Sequence, residues 1–256
     1  MLIDSHAHYD DEQFDTDRDE ILNKCVEAGV THIVNAASDL ESARKSIELS
    51  KNYAFIYAAV GVHPHEASGW KDDTYDTLRT LAGEKKVVAI GEIGLDYHYD
   101  FSPRDVQKNV FARQIDLARS LKMPIIVHDR ESHKDILDII KSEKAYETGG
   151  VLHCFSGSVE MAREVLNLGF KIGIGGSLTF KNAARPVEVV RFAPLDMILV
   201  ETDCPYLSPE PLRGRRNWSG NIKYVIEKIA QIKEIDYKEV ERATTENAVN
   251  LFGLNM

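Results

Sequence analysis

The sequence predicts an α/β fold in which one domain, residues 1–256, forms a (β/α)8 (TIM) barrel. Short β-branched runs alternate with longer amphipathic stretches eight times, and parallel strands need such helical crossovers. The 256 residues give about 32 per repeat, which fits one strand, one helix and their loops. No Pro/Gly/Ser-rich linker or low-complexity tract divides the chain.

The predicted strands are short runs rich in Ile, Val and Leu. They cover residues 2–4, 31–36, 54–62, 87–93, 124–128, 150–155, 170–174 and 197–202. Helical patterns occupy about residues 17–29, 39–51, 72–83, 103–122, 132–143, 158–168, 186–193, 220–233 and 237–252. The alternative is a doubly wound open sheet. No Gly-rich dinucleotide loop follows any predicted strand, so the closed barrel is favoured.

Composition narrows the class of protein. The chain has 41 acidic and 31 basic residues, a net charge of −10, and 43% hydrophobic residues, which excludes a disordered chain. An acidic body also argues against a protein that coats nucleic acid. Three cysteines cannot form a disulfide framework. The sequence has no apolar run of transmembrane length and no signal-peptide pattern, so we expect a cytoplasmic protein.

Five predicted strands end in residues that can bind a metal ion. Alternation in strand 1 places Asp4, His6 and His8 on one face. The later candidates lie at the ends of strands 4, 5, 6 and 8: Glu92, His128, His153 and Asp203. The carboxyl ends of barrel strands form one rim, where active sites are built. Four histidines and two carboxylates (His6, His8, Glu92, His128, His153 and Asp203) suffice for two divalent ions with positions left open for water and substrate.

Other histidines and carboxylates give weaker signals. His63 and His65 repeat the His-x-His spacing after strand 3, but Pro64 makes them loop residues. His63 could contact substrate as readily as it could be structural, and His65 is a weaker candidate. Asp4 could orient a ligand histidine or only accept bonds from backbone amides, and the sequence favours neither.

Two cysteines and two tyrosines also lie near the predicted rim. Alternation turns Cys154 away from His153, and Cys204 away from Asp203, which predicts buried apolar residues rather than thiolate ligands. Tyr97 and Tyr99 follow strand 4 and could stack on a base or simply cover the mouth of the barrel.

These residues form motifs that resemble those of the TatD family of metal-dependent deoxyribonucleases. The motifs are 5-SHAH-8, 91-GEIGLDY-97, 128-HDR-130, 153-HCFSG-157, 201-ETDCPYL-207 and the basic segment 211-PLRGRRN-217. Together they cover essentially the whole chain in order. One departure follows Asn217, where the family usually has Glu-Pro and this chain has Trp218-Ser219-Gly220. That change bears on the outer substrate groove rather than on the metal ligands.

The resemblance implies a metal ligand set of His6, His8, Glu92, His128, His153 and Asp203, with Glu92 bridging two ions. The ions implied are divalent: Mg, Mn or Zn. Imidazole ligands favour Zn, Mn or Ni, while the family resemblance implies Mg dependence, so the sequence leaves the identity of the metal open. Many carbonyl-hydrolysing relatives bridge their metals with a carbamylated lysine, but Lys85 and Lys86 precede strand 4 at the wrong end. Glu92 occupies the bridging position instead, and an unmodified carboxylate there is what the nuclease branch uses. The resemblance therefore favours phosphodiester hydrolysis.

The sequence thus predicts a two-metal deoxyribonuclease. Asp203 and Glu92 are the expected catalytic residues, with Asp203 accepting a proton from the attacking water. Exonuclease action on single-stranded ends is what the family implies. The alternatives are a hydrolase of a small ester, lactone or amide, and a non-catalytic protein that uses the metals structurally.

The expected partner is DNA, bound transiently by a monomer without an obligate protein partner or a membrane. Arg213, Arg215 and Arg216 form a basic cluster after strand 8, and Arg130 follows His128 on the same rim. Arginine pairs with phosphate in a bidentate manner, so these residues, together with His63, are the predicted substrate contacts.

Overall fold

The computed structural model describes residues 1–255 and shows eight parallel strands in the order β1 to β8. The strands are β1 Leu2–Ala7, β2 Val30–Ala36, β3 Ile56–Val60, β4 Val87–Asp96, β5 Ile125–Arg130, β6 Gly150–Leu152, β7 Lys171–Ile174 and β8 Ile198–Val200. Backbone bonds just beyond β8 join it to β1: Asp203 N donates to His6 O at 3.0 Å, and His8 N donates to Cys204 O at 2.8 Å. The predicted (β/α)8 barrel is confirmed.

Every strand is followed by an α-helix, and a further helix follows the eighth. The helices are α1 Arg18–Glu27, α2 Leu40–Asn52, α3 Thr74–Ala82, α4 Arg104–Leu121, α5 His133–Ser142, α6 Val159–Asn167, α7 Ala184–Phe192, α8 Ile222–Lys233 and α9 Tyr237–Phe252. Gly29 and Gly169 follow α1 and α6 with φ values of +87° and +80°, the left-handed conformation that glycine adopts most easily at a helix end. In the part of the chain just described, no helix combines the length and apolar character needed to cross a bilayer.

The core has two layers because strand side chains alternate between the barrel interior and the helices. The larger cluster packs the strands against the surrounding helices. The smaller cluster combines residues from seven strands with the end of α9, which places it inside the barrel: Ile3, Val34, Tyr57, Ala59, Ala89, Ile126, Val151, Leu199, Phe252 and Leu254. This packing closes the amino-terminal end of the barrel and leaves the carboxyl ends of the strands as its mouth.

Several strand ends differ from the prediction. β4 continues to Asp96, so Glu92 lies within the strand. β6 and β8 end at Leu152 and Val200, so His153 and Asp203 lie just beyond them. The chain turns at Cys154 and Asp203, whose φ values of +44° and +55° end the extended conformation.

Candidate metal centre

The first part of the centre is built by β1 and the segment that follows β8. His6 Nε2 and His8 Nε2 face each other at 3.0 Å. Asp203 Oδ1 lies 3.6 Å from His6 Nε2 and 3.3 Å from His8 Nε2. The backbone bonds from Asp203 N to His6 O and from His8 N to Cys204 O hold the two segments together. A histidine pair and a carboxylate far apart in sequence therefore converge on one point.

Glu92 lies at the middle of the centre and is almost completely buried. Its Oε2 atom lies 3.2 Å from His6 Nε2 and 3.6 Å from His8 Nε2. Its Oε1 atom lies 2.8 Å from His128 Nδ1 and 2.7 Å from His153 Nε2. One carboxylate thus joins two separate groups of histidines, one at each oxygen.

The six residues predicted as metal ligands therefore lie together at the mouth of the barrel. Groups of three potential ligand atoms lie within 4.8 Å of one another, and they share Glu92, His6 or His153. Imidazole nitrogens and carboxylate oxygens, with open access from the mouth, are a donor set that suits Zn or Mn. His6 Nε2 and His8 Nε2 lie only 3.0 Å apart, and a cation bound between them would accept both lone pairs. The residues present fit the divalent metal that the motifs imply.

Burial and pairing divide the histidines into two kinds. Burial lowers the pKa of His6 to about 4, and it also lowers the pKa of His63 to about 4. Burial would likewise lower the pKa of His8, but the hydrogen bond and charge of Asp203 raise it to about 10. For His128, Asp96 and Glu92 overcome burial and raise the pKa to about 9. Proton release from the paired histidines is therefore coupled to whatever cation enters the centre.

The two carboxylates are held ionised by the same neighbours. Burial alone would raise the pKa of Glu92, but the histidines around it, His153 foremost, hold that pKa well below its usual range. For Asp203, burial is opposed by the hydrogen bond from His8, and the net pKa is lowered. Both side chains are thus available as anionic donors.

His63, predicted as a substrate contact, lies inside the centre. Its Nε2 atom is 3.5 Å from Glu92 Oε1, and the side chain is 11% exposed. Together with Glu92 and His128 it forms one of the groups that could hold a cation. Its position is compatible with either a metal or a phosphate oxygen.

Asp96 and His65 belong to the same network, and sequence reasoning missed Asp96. Asp96 Oδ2 lies 3.1 Å from His128 Nε2 and 2.9 Å from His65 Nε2. Because His128 turns Nδ1 toward Glu92, Asp96 holds its other nitrogen, the usual arrangement of a carboxylate behind a metal-binding histidine. Alternation along β4 from Glu92 could have revealed Asp96.

Glu201 and Cys154 also lie against the centre. Cys154 Sγ is 3.9 Å from Asp203 Oδ2 and lies within 4.8 Å of a ring nitrogen of His153, so the prediction that Cys154 points away from His153 was wrong. The reason is its positive φ, which breaks strand alternation. Glu201 is fully buried, and its Oε1 accepts a hydrogen bond from Cys154 N. A Cβ on Gly173 would lie 2.3 Å from Glu201 Oε2, so the glycine in β7 makes room for this carboxylate.

Asp4 does not share the histidine face that alternation predicts. The pairing of β1 with β2 shifts between Asp4 and Ala7, which interrupts the alternation. Asp4 accepts hydrogen bonds from Thr202 N at 2.9 Å and from Ser219 Oγ at 2.6 Å. Asp4 was expected either to orient a ligand histidine or to accept bonds from backbone amides. The structure shows the second role, with hydroxyl groups as additional donors. Cys204 is fully buried, as predicted.

Residues 211–217 form the arginine loop, which follows β8 at the mouth of the barrel. Arg213 and Arg215 are exposed. The guanidinium carbon of Arg213 lies 3.7 Å from the centroid of the Phe180 ring. Arg216 is engaged by Asp17, with Nη2 and Oδ2 2.5 Å apart. Arg130 is exposed at the end of β5.

The family model for TatD-related DNases matches residues 3–253. The chain belongs to this TatD family. It is 46% identical over 255 residues to the uncharacterized metal-dependent hydrolase YabD of Bacillus subtilis, with 100% of each chain covered. It is 35% identical over 256 residues to a 3'-5' ssDNA/RNA exonuclease TatD of Cronobacter sakazakii, covering 98% of this chain and 97% of that protein.

A solved TatD structure shows the same fold. The crystal structure of YJJV, a TatD homologue from Escherichia coli, superposes with a TM-score of 0.94 at 31% identity, covering 99% of this chain and 98% of that one. The predicted TatD resemblance is confirmed, and the chain is a member of a metal-dependent hydrolase family.

The departure from the usual TatD pattern after Asn217 has a structural role in this chain. Ser219 is buried and donates to Asp4 Oδ2, and Tyr9 OH accepts a hydrogen bond from Ser219 N at 2.9 Å. A Cβ on Gly220 would lie 2.2 Å from the Trp218 ring, so this position needs glycine. The segment therefore fastens the end of the arginine loop to β1.

Proposed function

We propose that this TatD protein is a two-metal phosphodiesterase that trims the single-stranded ends of DNA. The observation that carries the proposal is the position of Glu92. Its Oε2 faces His6 and His8, while its Oε1 faces His128 and His153. One carboxylate between two histidine groups is what a pair of neighbouring divalent ions requires.

The ligand set divides along Glu92. His6, His8 and Asp203 would hold one ion with Glu92 Oε2, and His128 and His153 would hold the other with Glu92 Oε1. Two bound divalent ions would supply positive charge for an anionic phosphodiester and lower the pKa of water at the site. Glu92 and Asp203 offset only part of that charge, so the site attracts an anion. A neutral ester or lactone gains less from such a site.

Asp203 is placed to accept a proton. Its Oδ1 atom is held by His6 and His8, while its Oδ2 atom lies 3.9 Å from Cys154 Sγ and is not paired with a histidine. A carboxylate that is ionised, partly open to solvent and at the rim can take the proton of the attacking water at Oδ2. Glu92, which is 4% exposed, holds the histidines in place.

Basic groups around the mouth provide contacts for phosphates. A cavity of about 380 Å³ is lined by Tyr206 and by Arg213, Arg215 and Arg216. Tyr206 connects it to the centre, because its ring centroid lies 6.3 Å from that of His8. Arg130 adds an exposed cation at the carboxyl end of β5. These few charges on an acidic protein suit brief binding of a strand end.

The relatives support a nucleic-acid substrate. The Cronobacter sakazakii protein carries the name 3'-5' ssDNA/RNA exonuclease, at 35% identity across nearly the whole of both chains. Transfer of that activity to this chain rests on this identity and on the arrangement of histidines around Glu92 in this chain.

The test compares substrates on one preparation of protein. Single-stranded oligonucleotides labelled at either end, and a panel of lactones and esters, are incubated with EDTA and then with Mg²⁺, Mn²⁺ or Zn²⁺ added back. We expect stepwise shortening of the oligonucleotide that EDTA abolishes and a metal restores. Metal-dependent lactone or ester hydrolysis without nucleolysis would overturn the proposal and favour the small-molecule alternative.

A further inference from the structure

Two largely exposed aromatic rings lie beside the centre. Tyr99 and Phe101 lie between β4 and α4 and are 54% and 68% exposed. Their rings stack on each other, with centroids 5.4 Å apart and planes inclined by 29°. We call this pair the aromatic platform. A large apolar side chain with so much exposed surface favours binding a flat apolar group.

The platform is fixed to the barrel. Asp96 Oδ1 accepts a hydrogen bond from Tyr99 N at 2.8 Å, and Arg104 pairs with Asp100 at 3.0 Å. After Phe101, Ser102 Oγ donates to His65 O at 2.8 Å. These contacts fix the chain on both sides of the two rings. A preorganised surface loses little conformational entropy when a ligand stacks on it.

The platform lies next to the centre. The His65 ring contacts both members, with its centroid 5.5 Å from Tyr99 and 4.9 Å from Phe101. The same ring lies 6.2 Å from the ring of His128. A single imidazole thus separates the platform from a predicted metal ligand.

The neighbouring Tyr97 does not take part. Its hydroxyl donates to Asp135 at 2.6 Å, and the guanidinium of Arg104 covers its ring at 4.3 Å. Of the two tyrosines that the sequence offered for base stacking, the structure leaves only Tyr99 available. Arg130 is exposed and is the register partner of Asp96, so both residues lie at the same rim of the barrel.

We propose that the aromatic platform is a subsite for a nucleobase of the strand end being cleaved. This proposal rests on the proposed phosphodiesterase function and names the part of the substrate that the enzyme recognises, an unpaired base at the strand end. A base can stack on Phe101 and Tyr99 only when it has left its own duplex stack, so the platform selects single strands. It reads any base, because every base offers a π-face.

The decisive substrates are two single-stranded oligonucleotides of equal length. One has normal terminal nucleotides, and the other has abasic tetrahydrofuran residues at the same two positions. We expect the wild-type protein to show a KM about tenfold lower for the normal end, since stacking of a base on an aromatic ring is worth about a factor of ten. In Phe101→Ala the ratio of the two KM values falls toward one, and Phe101→Trp restores it.

Tyr146→Ala provides the matched control. Tyr146 is 44% exposed and precedes β6, at the opposite end of the barrel from the mouth. Its loss should leave the KM ratio at the wild-type value. Quenching of Trp fluorescence in Phe101→Trp by the normal oligonucleotide in EDTA, and weaker quenching by the abasic one, gives a readout that needs no metal and no turnover.

The outcomes are distinguishable. Cleavage of neither oligonucleotide under any metal would refute the proposed function. Cleavage of both with equal KM values, unchanged in Phe101→Ala, would refute the platform while leaving the phosphodiesterase intact. A wild-type dimer in sedimentation that Phe101→Ala converts to a monomer, without a change in the KM ratio, would instead assign the platform to contact with a second copy.

Discussion

The metal centre and the arginine loop occupy the same end of the barrel, yet their predicted residues behave differently. In the centre, six residues in or just after five strands converge so closely that the carboxylate of Glu92 lies within 3.6 Å of five histidines. In the arginine loop, three cations close in sequence have different partners. Arg213 lies on Phe180, Arg216 pairs with Asp17, and Arg215 remains exposed.

The difference has a physical cause. Hydrogen bonds between strands fix the direction of each side chain, so the sheet as a whole positions a residue near a strand end at the mouth. A loop side chain goes to whichever local partner lowers its free energy most. Asp17 and the Phe14 ring, 4.8 Å from the guanidinium carbon of Arg216, provide such partners. All three arginines line the cavity beside Tyr206, but their different partners leave them unequally free to contact a phosphate.

Substitution of Glu92 should have the largest effect. We expect Glu92→Gln to lower kcat/KM by about 10³-fold or more, because the two ions proposed for the centre would lose their shared ligand, and metal ions supply several kcal/mol of transition-state stabilisation. Asp203→Ala should have a comparable effect on turnover. Circular dichroism should show an intact barrel in both variants. Full activity in a folded variant would contradict the assignment of the centre.

Asp96→Asn tests whether a residue that contacts the candidate ligand His128 contributes to metal affinity. Asparagine can still accept the bond from Tyr99 N, but it no longer holds His128 with a charge. We expect affinity for Zn²⁺ or Mn²⁺, measured by calorimetry, to fall by about 10- to 100-fold. Asp138→Asn, an exposed change on α5 that removes a surface pair with Lys134, is the control. Equal affinities in the two variants would remove Asp96 from the centre.

Single alanine substitutions separate the arginines of the loop. We expect Arg215→Ala to raise KM for DNA by about two- to fivefold and to flatten its salt dependence, since an exposed arginine–phosphate contact is weak and screened. Arg216→Ala should instead lower the free energy of unfolding by at most about 1 kcal/mol. The reverse pattern, with Arg216 setting KM, would show that the Asp17 pair opens when DNA binds.

The smallest effect is the pH dependence of the Asp17–Arg216 pair. The hydrogen bond from Arg216 lowers the folded-state pKa of Asp17 below its ordinary 3.8. The pair therefore stabilises the fold above the ordinary pKa, and that contribution is lost as the pH falls through the folded-state value. The Tm difference between wild type and Asp17→Asn should be largest well above pH 3.8 and should shrink as the pH falls below that value. A difference that persists in acid would contradict the ionic origin.

Strand periodicity predicted the barrel and the convergence of its ligands, but local backbone geometry decided several details. Cys154 was placed by alternation on the wrong side, because a left-handed residue after β6 cannot be read from the sequence. Asp4 was grouped with His6 and His8, because the register shift in β1 depends on how β2 pairs with it. Glu201 was overlooked because its carboxylate occupies the space above Gly173, a residue of a different strand.

The order of apolar runs and the residue types at their ends determined by themselves that this chain forms a barrel with a histidine- and carboxylate-rich mouth. Those features follow from strand alternation and from the common direction of parallel strands, which are properties of the chain. Only the tertiary structure decided which Glu92 oxygen faces which histidines, which arginine is left free, and which aromatic rings stay exposed. Each of these depends on contacts between segments distant in sequence, and their balance of packing, charge and solvation is settled only when the segments meet.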